Sequence, residues 1–331
     1  MLGVSLWWLE NMANTRPLKA HLSYQQQLDQ LRQRGLVVGS EKSALATLER
    51  LGYYRLSGYF YPLRQTKPIG HPGRLDHFQD GASFELVQAL AEFDKRLRLI
   101  SMYSIESVEL AVRVAIAHHL GKFDSQAHLN PSLLDGKFSQ PRKNGEPSAH
   151  DRWCERYEKM LKDSKEDFVQ HHIHAYGGQL PIWVAIELWD FGMLSRFFSG
   201  MEFRDRNRLA AKLGAVNGEV LASWLRAFNF VRNVAAHHSR LWNRRSPEIP
   251  KLPPQDRCHW LAPLHAQPDS ASKMFGIFSC LLVLMRMIAP SNDWLLQLKQ
   301  HLRTFPDTDL LSLEAAGFPT AWDSLPLWNT D

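Results

Sequence analysis

Between residues 226 and 245 the chain concentrates side chains that can move protons and hold anionic oxygens: Arg226, Arg232, Asn233, His237, His238, Arg240, Asn243, Arg244 and Arg245. No acidic residue lies between Glu219 and Glu248. Histidine as a residue type exchanges protons near neutral pH, so His237 suits a general base or acid. A guanidinium presents a fixed fork of donors, so Arg232 suits the charge that develops on phosphorane oxygens. Asn233 can orient the imidazole or the phosphate through its amide, and His238 can carry a second proton or simply pack. RNA brings its own nucleophile, the 2′-hydroxyl, so a base, an acid and an anion stabiliser would suffice without a metal. Arg226, Arg240, Arg244 and Arg245, with Asn243, are the candidate RNA-binding residues.

Spacing places these groups. Phe230, Val234 and Leu241 recur four and seven apart with Ala235 beside them, which predicts a helix over 220–242 with one packed side. Asn233 and His237, four apart, share a face. Arg232 and His237, five apart, stand roughly 140° apart around an ideal helix. Three arrangements would reconcile them: an arginine that curls round, a helix that ends or kinks near Ala235, or a meeting across a dimer axis. The competing structural reading is a polar network that holds a helical bundle together.

At 331 residues the chain can bury a full core, as one large domain or two modest ones. Hydrophobic content of 44% and charged content of 22% are those of a soluble globular protein. The formal net charge of +5 permits a polyanionic partner without demanding one. Cys154, Cys258 and Cys280 are far apart with no C-x-x-C pair, which argues for a reducing cytosol with neither disulfides nor a zinc ribbon. The apolar run 277–285 is broken by Arg286 and falls short of the roughly 18 residues of a membrane span. No secretory leader is expected, because the first residues lack a basic region and meet Glu10 at once. Patterned sequence begins near residue 18, which leaves Met12 as an alternative start.

The chain's periodicity predicts helices throughout. Ser23 and Gly35 bracket a helix over 23–34, and Ser40 and Gly52 bracket another over 40–51. This spacing can mimic a DNA-binding helix–turn–helix, although the second helix offers little for base edges. The aromatic run 53–64, interleaved with Arg55 and Arg64, suits base stacking or a core wedge. Residues 67–80 form a loop, and 84–120 a long helix whose apolar stripe has one wider gap at 101–107, a place for a kink. Residues 124–150 have loop composition, and 152–176 are helical. Asp167, His171 and His174 share a face there that could ligate a metal, but such a face arises as readily in a solvated helix, and no metal or other cofactor is expected. Pro181 opens a further helix. A proline-rich loop at 246–269 is followed by a strongly apolar helix over 271–288, expected against the motif helix, and another over 292–303. With no strand-period stretch, the fold class is all-α.

The string R-N-V-A-A-H-H-S-R-L-W-N-R, residues 232–244, resembles the Arg-Asn-x-x-x-His form of the HEPN-domain motif, and the Abi-like abortive-infection family in particular. Strings at 53–59 (Y-Y-R-L-S-G-Y), 105–119, 180–198 and 317–328 extend the resemblance over about residues 18–328. It implies a helical bundle of HEPN type with an N-terminal helical extension. The corresponding divisions are a poorly patterned 1–17, an N-terminal helical region 18–80, a core 81–304 with loops at 122–150 and 246–269, and a tail 305–331. It also implies that Glu109 and Arg113 lie on a helix facing the motif, with Glu187 as a further neighbour; a solvated face or an ordinary ion pair would explain these three as well. The implied activity is that of a metal-independent endoribonuclease in antiphage abortive infection. HEPN ribonucleases generally pair two motifs and this chain has one, which implies a homodimer with a composite cleft related by a two-fold axis. The implied partners are RNA, a second copy, and an antitoxin or regulatory RNA, in the cytoplasm and with no membrane. A non-catalytic RNA-binding or scaffold protein on the same frame is the alternative.

Overall fold

The Ser23 side chain accepts the backbone N–H of Gln26, and the Gln26 amide oxygen accepts that of Ser23 at 2.8 Å. This reciprocal box starts helix α1, Tyr24–Gln33, in a computed structural model that describes residues 18–143 and 145–329. The expectations for residues 1–17 and for a start at Met12 lie outside the described residues. Ser40 caps α2, Glu41–Leu51, which stops at Gly52, where φ of 76° would strain any L side chain. In α3, Tyr53–Phe60, the residues Leu56, Tyr59 and Phe60 turn inward, with Phe60 edge-on to Phe78, while Tyr54 is 93% exposed. The aromatic run is thus mainly a core wedge. The loop expected over 67–80 contains a strand: β1, Arg64–Thr66, pairs antiparallel with β2, Arg74–Phe78. Only Phe78 of β2 is buried, so its sequence shows no alternation to read. These elements and the start of α4, Phe84–Leu120, form one compact unit that ends at Gln88.

The second unit is Ala89–Asp331. Helix α4 runs unbroken through 101–107, where Ser101 donates to the Leu97 carbonyl at 2.7 Å and Ser107 to that of Tyr103 at 3.2 Å. After the short α5, Gly136–Ser139, the single helix expected over 152–176 is two: α6, Ala149–Asp163, and α7, Asp167–Tyr176. Ser164 makes the break. Its backbone is extended and its hydroxyl accepts the Glu166 N–H, a local bond that competes with the helix. Then come α8, Ile182–Ala185; α9, Phe191–Gly200, capped by Asp190; α10, Phe203–Lys212; and α11, Gly218–Ala236, the motif helix. The chain ends with α12, Ala262–Ala266; α13, Met274–Ile288; and α14, Trp294–Leu302.

Every residue of α13 from Met274 to Met285 is buried, as befits a helix apolar on all sides, and it packs against α11 as expected. Helices α9 and α10 also pack on α11. Trp328 of the tail stacks on Phe275 at 5.6 Å, so the end of the chain closes over α13. The architecture is all-α, with one short hairpin among the described residues. Burial pushes the Cys154 thiol up to about 11 and raises those of Cys258 and Cys280, so none is poised as a thiolate. Among the described residues, no helix is long and apolar enough to cross a membrane.

Candidate functional site

Helix α11 starts where the Asn217 side chain accepts the Val220 N–H at 2.9 Å. Leu221, Trp224, Leu225, Phe228 and Val231 are buried at helical spacing, which turns Arg226, Arg232 and Asn233 toward the outer side. The helix ends at Ala236, six residues short of the expected Trp242. The His238 N–H donates to the Ala235 carbonyl at 3.0 Å and the Ser239 N–H to that of Val234 at 2.9 Å. This is a Schellman closure with histidine, at φ 55°, in the place usually held by glycine. A left-handed backbone costs an L residue about 1–2 kcal/mol, so something beyond local preference holds the turn.

Asp94, on α4, supplies it. Its carboxylate, fully buried, accepts the N–H of Leu241 at 3.1 Å and that of Trp242 at 2.7 Å. Arg98 donates to the same carboxylate at 2.6 Å and to the Ser239 carbonyl at 3.4 Å. Leu241 and Trp242 are buried, and the Trp242 ring packs on Phe305. Their backbone N–H groups leave water when the side chains enter the core, and charge-assisted bonds to Asp94 offset that loss. The chain therefore abandons the helix to bury these two side chains, and the turn at 237–239 is pinned from below.

The helix ends one residue past Ala235. His237 is the C-cap, exposed, and its N–H donates to the Asn233 carbonyl at 3.0 Å, so these two remain one turn apart. Asn233 is exposed as well, and half-buried Arg232 donates to its Oδ1 at 3.4 Å. His238 is exposed, whereas Arg240 and Asn243 are half-buried. Arg244 is exposed and lies over the Phe230 ring, 5.5 Å from its centroid.

Two of the arginines meet carboxylates that are remote in sequence. Arg226 pairs with Glu248 at 3.3 Å, and Arg245 grips Asp269 through both terminal nitrogens. The Arg245 bonds, followed by one from Lys273, hold the Asp269 carboxyl down at about 2. The stretch is acid-free along the chain but not in space. A groove of about 530 Å³ opens beside the helix, with Asn233, Asn229 and Arg226 on one wall and Arg196 of α9 on the other.

Glu109, Arg113 and Glu187 form a network of their own. Arg113, buried, donates to Glu109 at 2.6 Å and to the Trp189 carbonyl at 2.6 Å, and it also donates to the Ile186 carbonyl. Glu187 is exposed, 3.9 Å from Arg113, and lines a separate cavity of about 390 Å³ with Trp183 and Lys122. This trio fastens the turn between α8 and α9 to α4. Asp167, His171 and His174 lie on α7, and no cluster of three or more metal-binding side chains exists among the described residues.

Asp94 and Arg98 escaped sequence reasoning, although they are spaced i,i+4 just as Glu92 and Arg96 are. The signal was there: Asp94 adjoins Phe93 on the apolar stripe, whereas Glu92 and Arg96 pair at 3.6 Å on the exposed side. Arg196 gave no such hint, because only the fold carries it to the groove.

Among curated proteins and among solved structures, no match to this chain was found. The family model described as Abi-like protein matches residues 46–243, well over half of the chain. That span takes in Asp94, all of α11 and the turn that closes it, and on this match the chain belongs to the Abi-like protein family.

Proposed function

We propose that the protein is a metal-independent endoribonuclease of antiphage abortive infection, with Arg232, Asn233 and His237 at its site. The observation that carries this reading is the exposure of Asn233, His237 and His238 at a helix end whose backbone is strained. A polar network that held the bundle together would be buried. Groups at the surface on a strained turn are instead placed to meet a ligand.

The chemistry follows from the residue types. A neutral His237 imidazole takes the proton of a ribose 2′-hydroxyl, and that oxygen attacks the adjacent phosphorus. The P–O5′ bond breaks, and the departing 5′-oxygen collects a proton from a second imidazole, that of His238 or of His237 in a second copy. The products are a 2′,3′-cyclic phosphate and a 5′-hydroxyl. Arg232 neutralises the equatorial oxygens as their charge grows, and Asn233 orients the imidazole or the phosphate. The motif is present once in the chain, so the family resemblance favours a homodimer whose two copies form one cleft. In the cytoplasm, an antitoxin or a regulatory RNA would hold such an activity in check.

The test is product chemistry with excess EDTA present. Cleavage of single-stranded RNA to 2′,3′-cyclic phosphate ends supports the proposal. Cleavage that EDTA abolishes, leaving 3′-hydroxyl ends, refutes it. Salt-dependent RNA binding with no turnover would transfer the protein to the scaffold class.

A further inference from the structure

The groove beside α11 does not stop at Arg226. A second depression of about 530 Å³ shares Arg196 and Ser199 with it and continues past the start of α11, where Lys137, Arg142 and Phe203 line it. From Asn233 back to Gly218 is fifteen residues of helix, about 22 Å at 1.5 Å per residue. At a stacked spacing of ~3.4 Å per nucleotide, such a path holds at most about six nucleotides.

The charges along it are unequal. Each carboxylate in the two depressions already faces a cation: Glu248 has Arg226, Glu219 has Lys251, and Asp135 has Arg206 at 3.7 Å. Arg196, Lys137 and Arg142 are all exposed, and among the described residues none of them has an anionic partner. Beside them Phe203 is 63% exposed, a large apolar ring left in water next to surplus positive charge. The N-terminus of α11 opens on the same depression and adds its dipole. Surplus cations along a groove, with an aromatic face beside them, are what a single nucleic-acid strand binds.

The geometry points to a single-stranded RNA path that runs from Asn233 past Arg226 and Arg196 to Lys137 and Arg142, with one base stacked on Phe203. It rests on the ribonuclease reading and adds to it the substrate class: an unpaired strand held by its phosphates for several nucleotides away from the scissile bond. The three cations read charge and not sequence, so the preference is for strand length and single-strandedness.

The test uses the full-length chain and a fluorescent 12-nucleotide single-stranded RNA, in the His237→Ala background so that the probe survives. Removing Arg196, Lys137 and Arg142 together, each to Ala, should weaken binding at least tenfold. It should also lower the slope of log affinity against log salt by about 2, near 0.7 for each lost phosphate contact on a single strand. Phe203→Ala should cost about tenfold on its own with no change in slope.

A control that removes three exposed cations elsewhere, Lys42, Arg50 and Lys162, changes net charge equally and should leave affinity within twofold. Equal losses in control and test variants would mean bulk charge and overturn the path. An unchanged salt slope in the triple variant would overturn it too, while wild-type cleavage of the 12-mer kept the ribonuclease reading standing. A wild-type protein that neither binds nor cuts RNA would remove both.

Discussion

The buried carboxylate of Asp94 accepts the backbone N–H of Trp242 at 2.7 Å, joining the long helix α4 to the segment that follows the catalytic candidates. It anchors the segment into which the chain runs as it leaves α11 at Ala236. Asp94→Ala removes the acceptor for two buried N–H groups and the carboxylate that pairs with Arg98. Breaking such a buried pair costs on the order of 3–5 kcal/mol. A lower urea midpoint is the expected outcome, together with RNA cleavage reduced even at temperatures where the variant is folded. Wild-type stability in Asp94→Ala would show that the segment needs no anchor.

The left-handed backbone of His238 makes a second prediction, which two variants isolate. His238→Gly and His238→Ala both lose the imidazole, so whatever it contributes cancels between them. The Ala variant keeps the Cβ that φ 55° disfavours. It should be less stable than the Gly variant by about 1 kcal/mol in equilibrium denaturation. Equal stabilities would mean that the turn relaxes freely, and the argument from strain would fail.

Acid sensitivity should come from His128. Burial, followed by the nearby charge of His150, lowers its pKa to about 4. Its ring is fully buried, edge-on to Tyr157 at 5.1 Å, and neither ring nitrogen has a hydrogen-bond partner among the described residues. The folded protein therefore keeps this imidazole neutral, while the unfolded chain takes up a proton below its ordinary value of about 6.5. Stability from this group is intact above pH 6.5 and is lost progressively as pH falls toward 4, on the order of 3 kcal/mol in all. His128→Phe should flatten that part of the profile of denaturation midpoint against pH. An unaltered acid limb would place the sensitivity in other groups.

Much of this architecture was legible because its causes are local. Ser23, Ser40, Gly35 and Gly52 bound their helices wherever they occur, and the stripe of α4 is periodic along its own length. The errors have non-local or very short-range causes. Leu241 continues the apolar period of α11, which extends the expected helix to Trp242, yet Leu241 reaches the core from a loop that Asp94 secures from 147 residues away. The break at Ser164 turns on a hydroxyl that competes with a backbone bond, which no count of apolar residues registers. The motif residues were found by type and spacing, but the ion pairs of Arg226 and Arg245 and the position of Arg196 exist only once the chain is folded.

The most direct test of the central claim is the cleavage rate of His237→Ala against wild type on single-stranded RNA, with thermal melting of both proteins measured alongside. His237 is exposed at a helix end, so the melting temperature should stay within about 2 °C of wild type. The rate should fall by at least about 10³-fold, the scale of a lost general acid–base group. Cleavage at the wild-type rate by a folded His237→Ala protein would contradict the assignment outright.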